Sequence, residues 1–210
     1  MAAESKPRHI LNSLCTALAI LIMHIHEGWP DFVDHLAGEL QEGVEHVTCL
    51  LMVLKYMASD CDNDSIVIEE SIRGHFFAFL DSISSLVFSQ IFNSWAQKVL
   101  AGNFGQVPRS LGHSPSEEDR QTLLLQRMRS KLVEAFYHWL KLRLPDQVYE
   151  GLVPRNPQLL ELVFKELENN SDENMENATN CVIELIHVAG KKSQFAAIKD
   201  AVMANVSLLV

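Results

Sequence analysis

Residues 11–40 read LNSLCTALAILIMHIHEGWPDFVDHLAGEL. Leu11, Leu14, Cys15, Leu18, Leu21, Ile22 and Ile25 recur at steps of three and four, the spacing that forms one stripe of an α-helix. Ala17, Ala19, Ile20 and Met23 leave little of the remaining surface polar, so such a helix needs cover on more than one side. Pro7 suits its first turn and Gly28 a left-handed cap after its last. Pro30 then opens a second helix on which Phe32, Val33, Leu36, Ala37 and Leu40 form the apolar stripe, while Asp31, Asp34, Glu39 and Gln41 face away. One antiparallel pair cannot cover the first helix, so a stack of such hairpins is predicted.

Outward from this hairpin the same period returns. Val44 to Ala58 carries Val47, Leu50, Leu51, Leu54 and Met57, and SDCDNDS (residues 59–65) is a polar turn. From Ile66 the pattern runs without proline to Leu100 through Ile72, Phe76, Phe79, Ile83, Leu86, Ile91, Trp95 and Val99. That is one helix of about 50 Å, with Gly74 or Ser84 and Ser85 as the places where it would bend. Phe77, Phe88 and Phe92 lie off or beside this stripe and are candidates for contact with a neighbouring repeat. Residues 101–113, AGNFGQVPRSLGH, have no period and are expected to form a flexible internal loop.

Ser114, Pro115 and Glu117 match a capping box that opens a helix through Leu132, Phe136 and Trp139 to about Leu144, where Pro145 stops it. Asn156 and Pro157 start another. The acidic tract NNSDENMEN (169–177) reads as a turn before a last hairpin, Ala178 to Ala189 and Phe195 to Val206. Hairpins thus begin near Leu11, Val44, Leu123 and Ala178, and no strand signal occurs. Two-helix units of about 40–47 residues have the size of HEAT and armadillo repeats. The fold class is all-α, a HEAT/armadillo-like α-solenoid covering residues 1–210 as one segment. The apolar ending VSLLV has no polar cap, and a piece of a longer solenoid is expected.

Seventeen Lys and Arg against 27 Asp and Glu give a formal charge of −10, which disfavours direct contact with a nucleic-acid backbone. Cys15, Cys49, Cys61 and Cys181 form no C-x-x-C pair, and three fall on apolar helix faces as reduced thiols would. The apolar run after Lys6 and Arg8 lacks a small-residue cleavage site and is too short to insert into a membrane. His24 and His26, beside Glu27, are two residues apart, whereas a helical metal pair wants three or four. They read as solvated histidines at a helix end. No catalytic constellation, metal site or cofactor motif is present, and the adjacent Glu69 and Glu70 do not face each other as an acid/base pair would. Arg120, Arg127, Arg129, Lys131, Lys141 and Arg143 lie along one helix and read as a solvated charged face.

Three segments carry a family resemblance. LCTALAIL (residues 14–21) followed by Gly28-Trp29-Pro30, then LVEAFYHWLKL (132–142), then ENATNCVIELIH (176–187) resemble, in order, landmarks of importin-beta superfamily nuclear transport receptors, nearest the importin 13 and transportin 3 branch. The resemblance implies a non-enzymatic receptor segment that shuttles between cytoplasm and nucleus and binds a cargo protein and GTP-loaded Ran GTPase along a concave helical wall. Residues 59–113 depart from the family pattern. If the second helix of each hairpin lines that wall, Asp31, Asp34, Glu39, Glu69, Glu70 and Arg73 are its candidate partner-binding groups. The alternative is a HEAT scaffold or regulatory subunit of another complex.

Overall fold

A computed structural model of the chain describes residues 5–28, 31, 32, 35, 38, 44–61, 69–102, 117–142, 144–169 and 171–206. Regular structure among the described residues is entirely helical. Helix α1 spans Ser5–Ile25 and tightens into a 3-10 turn, His26–Gly28. Helix α2 spans Val44–Cys61 and α3 Glu70–Leu86. A π-helical segment, Val87–Asn93, carries α3 into α4, Ser94–Ala101. Then follow α5 (Glu117–Lys141), α6 (Asp146–Arg155), α7 (Pro157–Glu166), α8 (Asp172–Lys191) and α9 (Ala196–Val206).

Helices α1, α2, α5 and α8 form one layer, each packed on the next. The directions of α2, α5 and α8 are fixed by side-chain contacts. Thr48 meets Met128 and Lys55 meets Glu134, so α2 and α5 run the same way. Ser130 meets Glu173 and Cys181 meets the Val133 carbonyl, so α5 and α8 do too. The returning helices α3–α4, α6–α7 and α9 make the second layer, with α4 on α7 and α6 on α9. Parallel helices in one layer with returns in the other are the arrangement of a HEAT-type α-solenoid. Of the second helix of the first hairpin, Phe32 is described and is buried; Val33, Leu36, Ala37 and Leu40 lie outside the described residues, as do the expected loop from residue 103 onward and the capping box at Ser114.

The long apolar run from Ile66 is continuous from Glu70 to Ala101, but not as a regular helix. Its buried residues include Leu80, Ser84, Phe88, Phe92 and Ala96, and beside them Ile83, Val87, Ile91, Trp95 and Val99. Both rows repeat every four residues. Four residues overshoot a turn of α-helix by about 40°, so a straight α-helix would carry these rows off the core. The wider π turn at Val87–Asn93 takes up the drift. Ser82, Ser84 and Ser89 donate their hydroxyls to the carbonyls of Phe79, Asp81 and Ser85, at 2.7, 2.7 and 2.8 Å, and such back-bonding loosens the helical ladder. The departure from α geometry therefore falls just after Ser84 and Ser85, while Gly74 sits in regular helix.

By length and composition Glu70–Ala101 could cross a membrane, yet its large side chains are committed to the core. Phe88 and Phe92 stack edge-on against Phe136 and Trp139 of α5 with ring centroids 5.6–6.3 Å apart. The Trp139 indole N–H donates to the Leu54 carbonyl of α2 at 2.9 Å. One cluster thus joins three helices, as expected of the aromatics lying off the main stripe.

Four local expectations are corrected. The 169–177 tract is not a turn up to Ala178: α8 begins at Asp172, where Asp172 and Glu173 complement the positive end of the helix. Helix α5 ends at Lys141 rather than Leu144, and Pro145 stands immediately before α6. The turn after α1 is 3-10, and the left-handed glycine cap occurs instead at Gly102 (φ 68°), closing α4. Asn156 does not cap the helix after it: its amide donates back to the Leu152 carbonyl at 3.0 Å.

Candidate partner-binding surface

The 3-10 turn after α1 turns His26 inward. Its Nδ1–H donates to the Met23 carbonyl at 2.9 Å, and the ring lies 5.3 and 5.0 Å from Phe76 and Phe79 of α3. Phe32 adds to the same cluster, 5.6 Å from Phe79. His26 is therefore a buried ring and not the solvated histidine expected, whereas His24 is exposed. The two cannot share a ligand, because they project into different environments. No group of three potential metal ligands occurs among the described residues.

This aromatic anchor holds Phe32, next to Asp31, against Phe79 of α3. Glu27 and His75, both exposed, close the edge with a 3.1 Å contact. Asp31 is exposed, and its carbonyl accepts from the His35 amide and imidazole at 3.0 and 2.8 Å. Glu69 stands just before α3 without capping it through its side chain, and Glu70 opens the first turn. Both carboxylates face solvent. Arg73, half-buried, donates from Nη1 to the Cys61 carbonyl at 2.8 Å and so ties α3 to the end of α2. Of the six candidates, Asp31, Glu69 and Glu70 are exposed and Arg73 is half-buried against the Cys61 carbonyl; Asp34 and Glu39 lie outside the described residues. Glu27 and His75 were not singled out from sequence as members of this edge, since nothing local pairs residues so far apart in the chain.

The basic residues of α5 do not form the free face expected of them. Lys131 lies 2.6 Å from Glu134 and 3.8 Å from Glu173, and Arg129 lies 3.5 Å from the buried Glu166. Lys141 sits over the Tyr137 ring. Arg127 is exposed, while the Arg120 side chain and Arg143 lie outside the described residues. Lys55 of α2 meets the other Glu134 oxygen at 2.6 Å. Burial pushes the Glu134 carboxyl pKa up, but the hydrogen bonds from Lys131 and Lys55 outweigh it and hold the group below the usual carboxylate range. One turn on, burial and the Lys55 charge push His138 down to about 4. The cysteines behave as small apolar groups: Cys15, Cys61 and Cys181 are buried, and burial raises the thiol pKa of Cys15 and Cys181.

Stacked hairpins with charged seams inside and polar edges outside define a helical-repeat binding scaffold. The chain belongs to the exportin 1-like protein family, whose sequence profile matches residues 7–182. That places it in the importin-beta/exportin superfamily of karyopherin-like transport receptors and related HEAT scaffolds. Comparison with curated proteins and with solved structures finds no match.

Proposed function

We propose that this chain is a segment of a non-enzymatic nuclear transport receptor of the importin 13 and transportin 3 kind, which shuttles between cytoplasm and nucleus. It binds a cargo protein and GTP-loaded Ran on its helical surface, each weakening the hold of the other, a reciprocal linkage that a stack of nearest-neighbour repeats can transmit by flexing. The observation that carries this reading is the family match across residues 7–182 of a chain folded as stacked hairpins. Asp31, Asp34, Glu39, Glu69 and Glu70 are its acidic contact groups for a basic partner segment, and Arg73 positions that edge through Cys61.

Binding of the intact protein to Ran loaded with GTP or with GDP tests it. Tight binding to the GTP form alone is expected; equal or absent binding leaves the HEAT scaffold as the reading. Given a bound partner, charge reversal of Asp31 and Asp34 together should weaken it, and an unchanged affinity removes both from the surface.

A further inference from the structure

Two cysteines meet across the seam between α1 and α2. Cys15 of α1 points its Sγ at the Cys49 carbonyl of α2, 3.9 Å away in space and 34 residues on in the chain. Cys15 is 4 % exposed, and Ala19, one turn on along the same face, is fully buried. Side chains this small let the α1 backbone come close to α2. A sulfur 3.9 Å from the residue-49 backbone is within reach of the Cys49 Sγ by rotation about χ1. The two groups also sense each other electrically: after burial, the neighbouring Cys49 is the second cause that raises the Cys15 thiol pKa. Cys61 ends α2, about 18 Å further along the helix, and Cys181 packs against the Val133 carbonyl of α5 at 3.5 Å. Cys15 and Cys49 are thus the pair that the fold brings together.

We propose that Cys15 and Cys49 form a redox site at which a hydroperoxide converts two thiols into a disulfide stapling α1 to α2. The roles follow from burial. Cys15 is sealed in the seam, whereas Cys49 is half-exposed and is the sulfur that a small oxidant reaches. As thiolate, Cys49 attacks one oxygen of hydrogen peroxide; the O–O bond breaks, a sulfenic acid forms, and the other oxygen leaves as water with the thiol proton. The Cys15 sulfur then attacks the Cys49 sulfur. The S–S bond forms, the S–O bond breaks, and the departing hydroxide takes the Cys15 proton as a second water. Both sulfurs are oxidised by one electron each, and the peroxide is reduced by two. Dithiol reductants reverse the step by exchange, so the bond is a switch and not a permanent staple.

The disulfide closes the first hairpin into a loop and restricts the unfolded chain more than the folded one. This chemistry is independent of the transport reading. Residues 16–48, which it encloses, include Asp31, Asp34 and Glu39, so only its consequence for the proposed partner surface rests on that reading.

The test treats the folded 210-residue chain with hydrogen peroxide, blocks remaining thiols with N-ethylmaleimide in urea, digests without reduction and reads the peptides by mass spectrometry. Cys15 and Cys49 are expected in one cross-linked species of the monomer that dithiothreitol abolishes, with Cys61 and Cys181 recovered as blocked thiols. Oxidation should raise the melting temperature by about 5–10 °C, and dithiothreitol should reverse the rise. Cys49→Ser, at a half-exposed position, should stay folded by circular dichroism and lose both the cross-link and the shift; Cys61→Ser should keep both. Recovery of Cys49 as an unreacted thiol, as a sulfinic acid, or joined to a cysteine other than Cys15 overturns the proposal. A cross-linked wild type that melts no higher than its reduced form overturns the staple.

Discussion

Glu134 and His138 show how one helical turn of α5 holds two groups away from their ordinary titration. The Glu134 carboxylate contributes stability above the usual carboxylate pKa and loses it as pH falls through its lowered folded value. His138 acts at higher pH. Its folded pKa of about 4 lies below the ordinary 6.5, so the unfolded chain takes up the proton first. Its contribution is complete above pH 6.5 and declines as pH falls toward 4. A shift of that size, discounted for partial exposure, corresponds to roughly 1–2 kcal/mol. His138→Leu should therefore flatten the urea midpoint between pH 7 and pH 4.5 relative to wild type; an identical pH slope counts against the assignment. Glu166 of α7 is a buried carboxylate. It is 1 % exposed, accepts from Asn169 and Asn174 at 2.6 and 2.8 Å, and faces Arg129. Glu166→Ala leaves the guanidinium without its counter-charge and should cost about 3–5 kcal/mol, whereas Arg129→Met with Glu166→Leu should cost far less. Chemical denaturation of both variants separates a buried charge pair from a merely crowded site.

At the scale of elements, the π segment is coupled to α7 through one side chain. The Leu159 amide, in the first turn of α7, donates to Asn93 Oδ1 at 3.1 Å. Asn156, the residue a sequence reader picks as the cap, has turned to the preceding helix. Asn93→Ala should cost about 1 kcal/mol, the worth of an N-cap, and hydrogen exchange should quicken at the amides of residues 158–160. Asn156→Ala should leave those amides protected. The cap was illegible in sequence because donor and acceptor are separated by most of two hairpins. The π segment had a legible signature, the four-residue period from Leu80 to Val99, which a search for three-and-four spacing absorbs into an ordinary helix.

Across the whole molecule, the seam between the second and third hairpins is held by four packed aromatic rings, Phe88, Phe92, Phe136 and Trp139. Phe136→Ala removes a ring packed on Phe88 and Phe92 and should cost about 3–5 kcal/mol. Trp139→Phe keeps most of the volume, loses the bond to Leu54, and should cost about 1–3 kcal/mol. Because each hairpin touches mainly its neighbours, the Phe136 variant should unfold α2 to α5 ahead of the α8–α9 hairpin. Hydrogen exchange resolved by segment reads this directly, and uniform loss of protection would argue for a single cooperative unit.

Sequence alone determined the helical class, the hairpin order and most of the buried residues, because helical periodicity acts over a few positions, whereas the stops read at Gly28 and Pro145 did not fall where spacing placed them. Phe76, Phe136, Trp139 and Leu185 are core residues readable from spacing. Tertiary structure decided which charges are free and which are spent. Lys131 and Arg129 look solvated on their own helix, yet they close on carboxylates of other helices, and His26 turns from a helix end into an aromatic cluster. Those outcomes depend on which helices become neighbours and on how they are rotated, and no local spacing encodes that rotation.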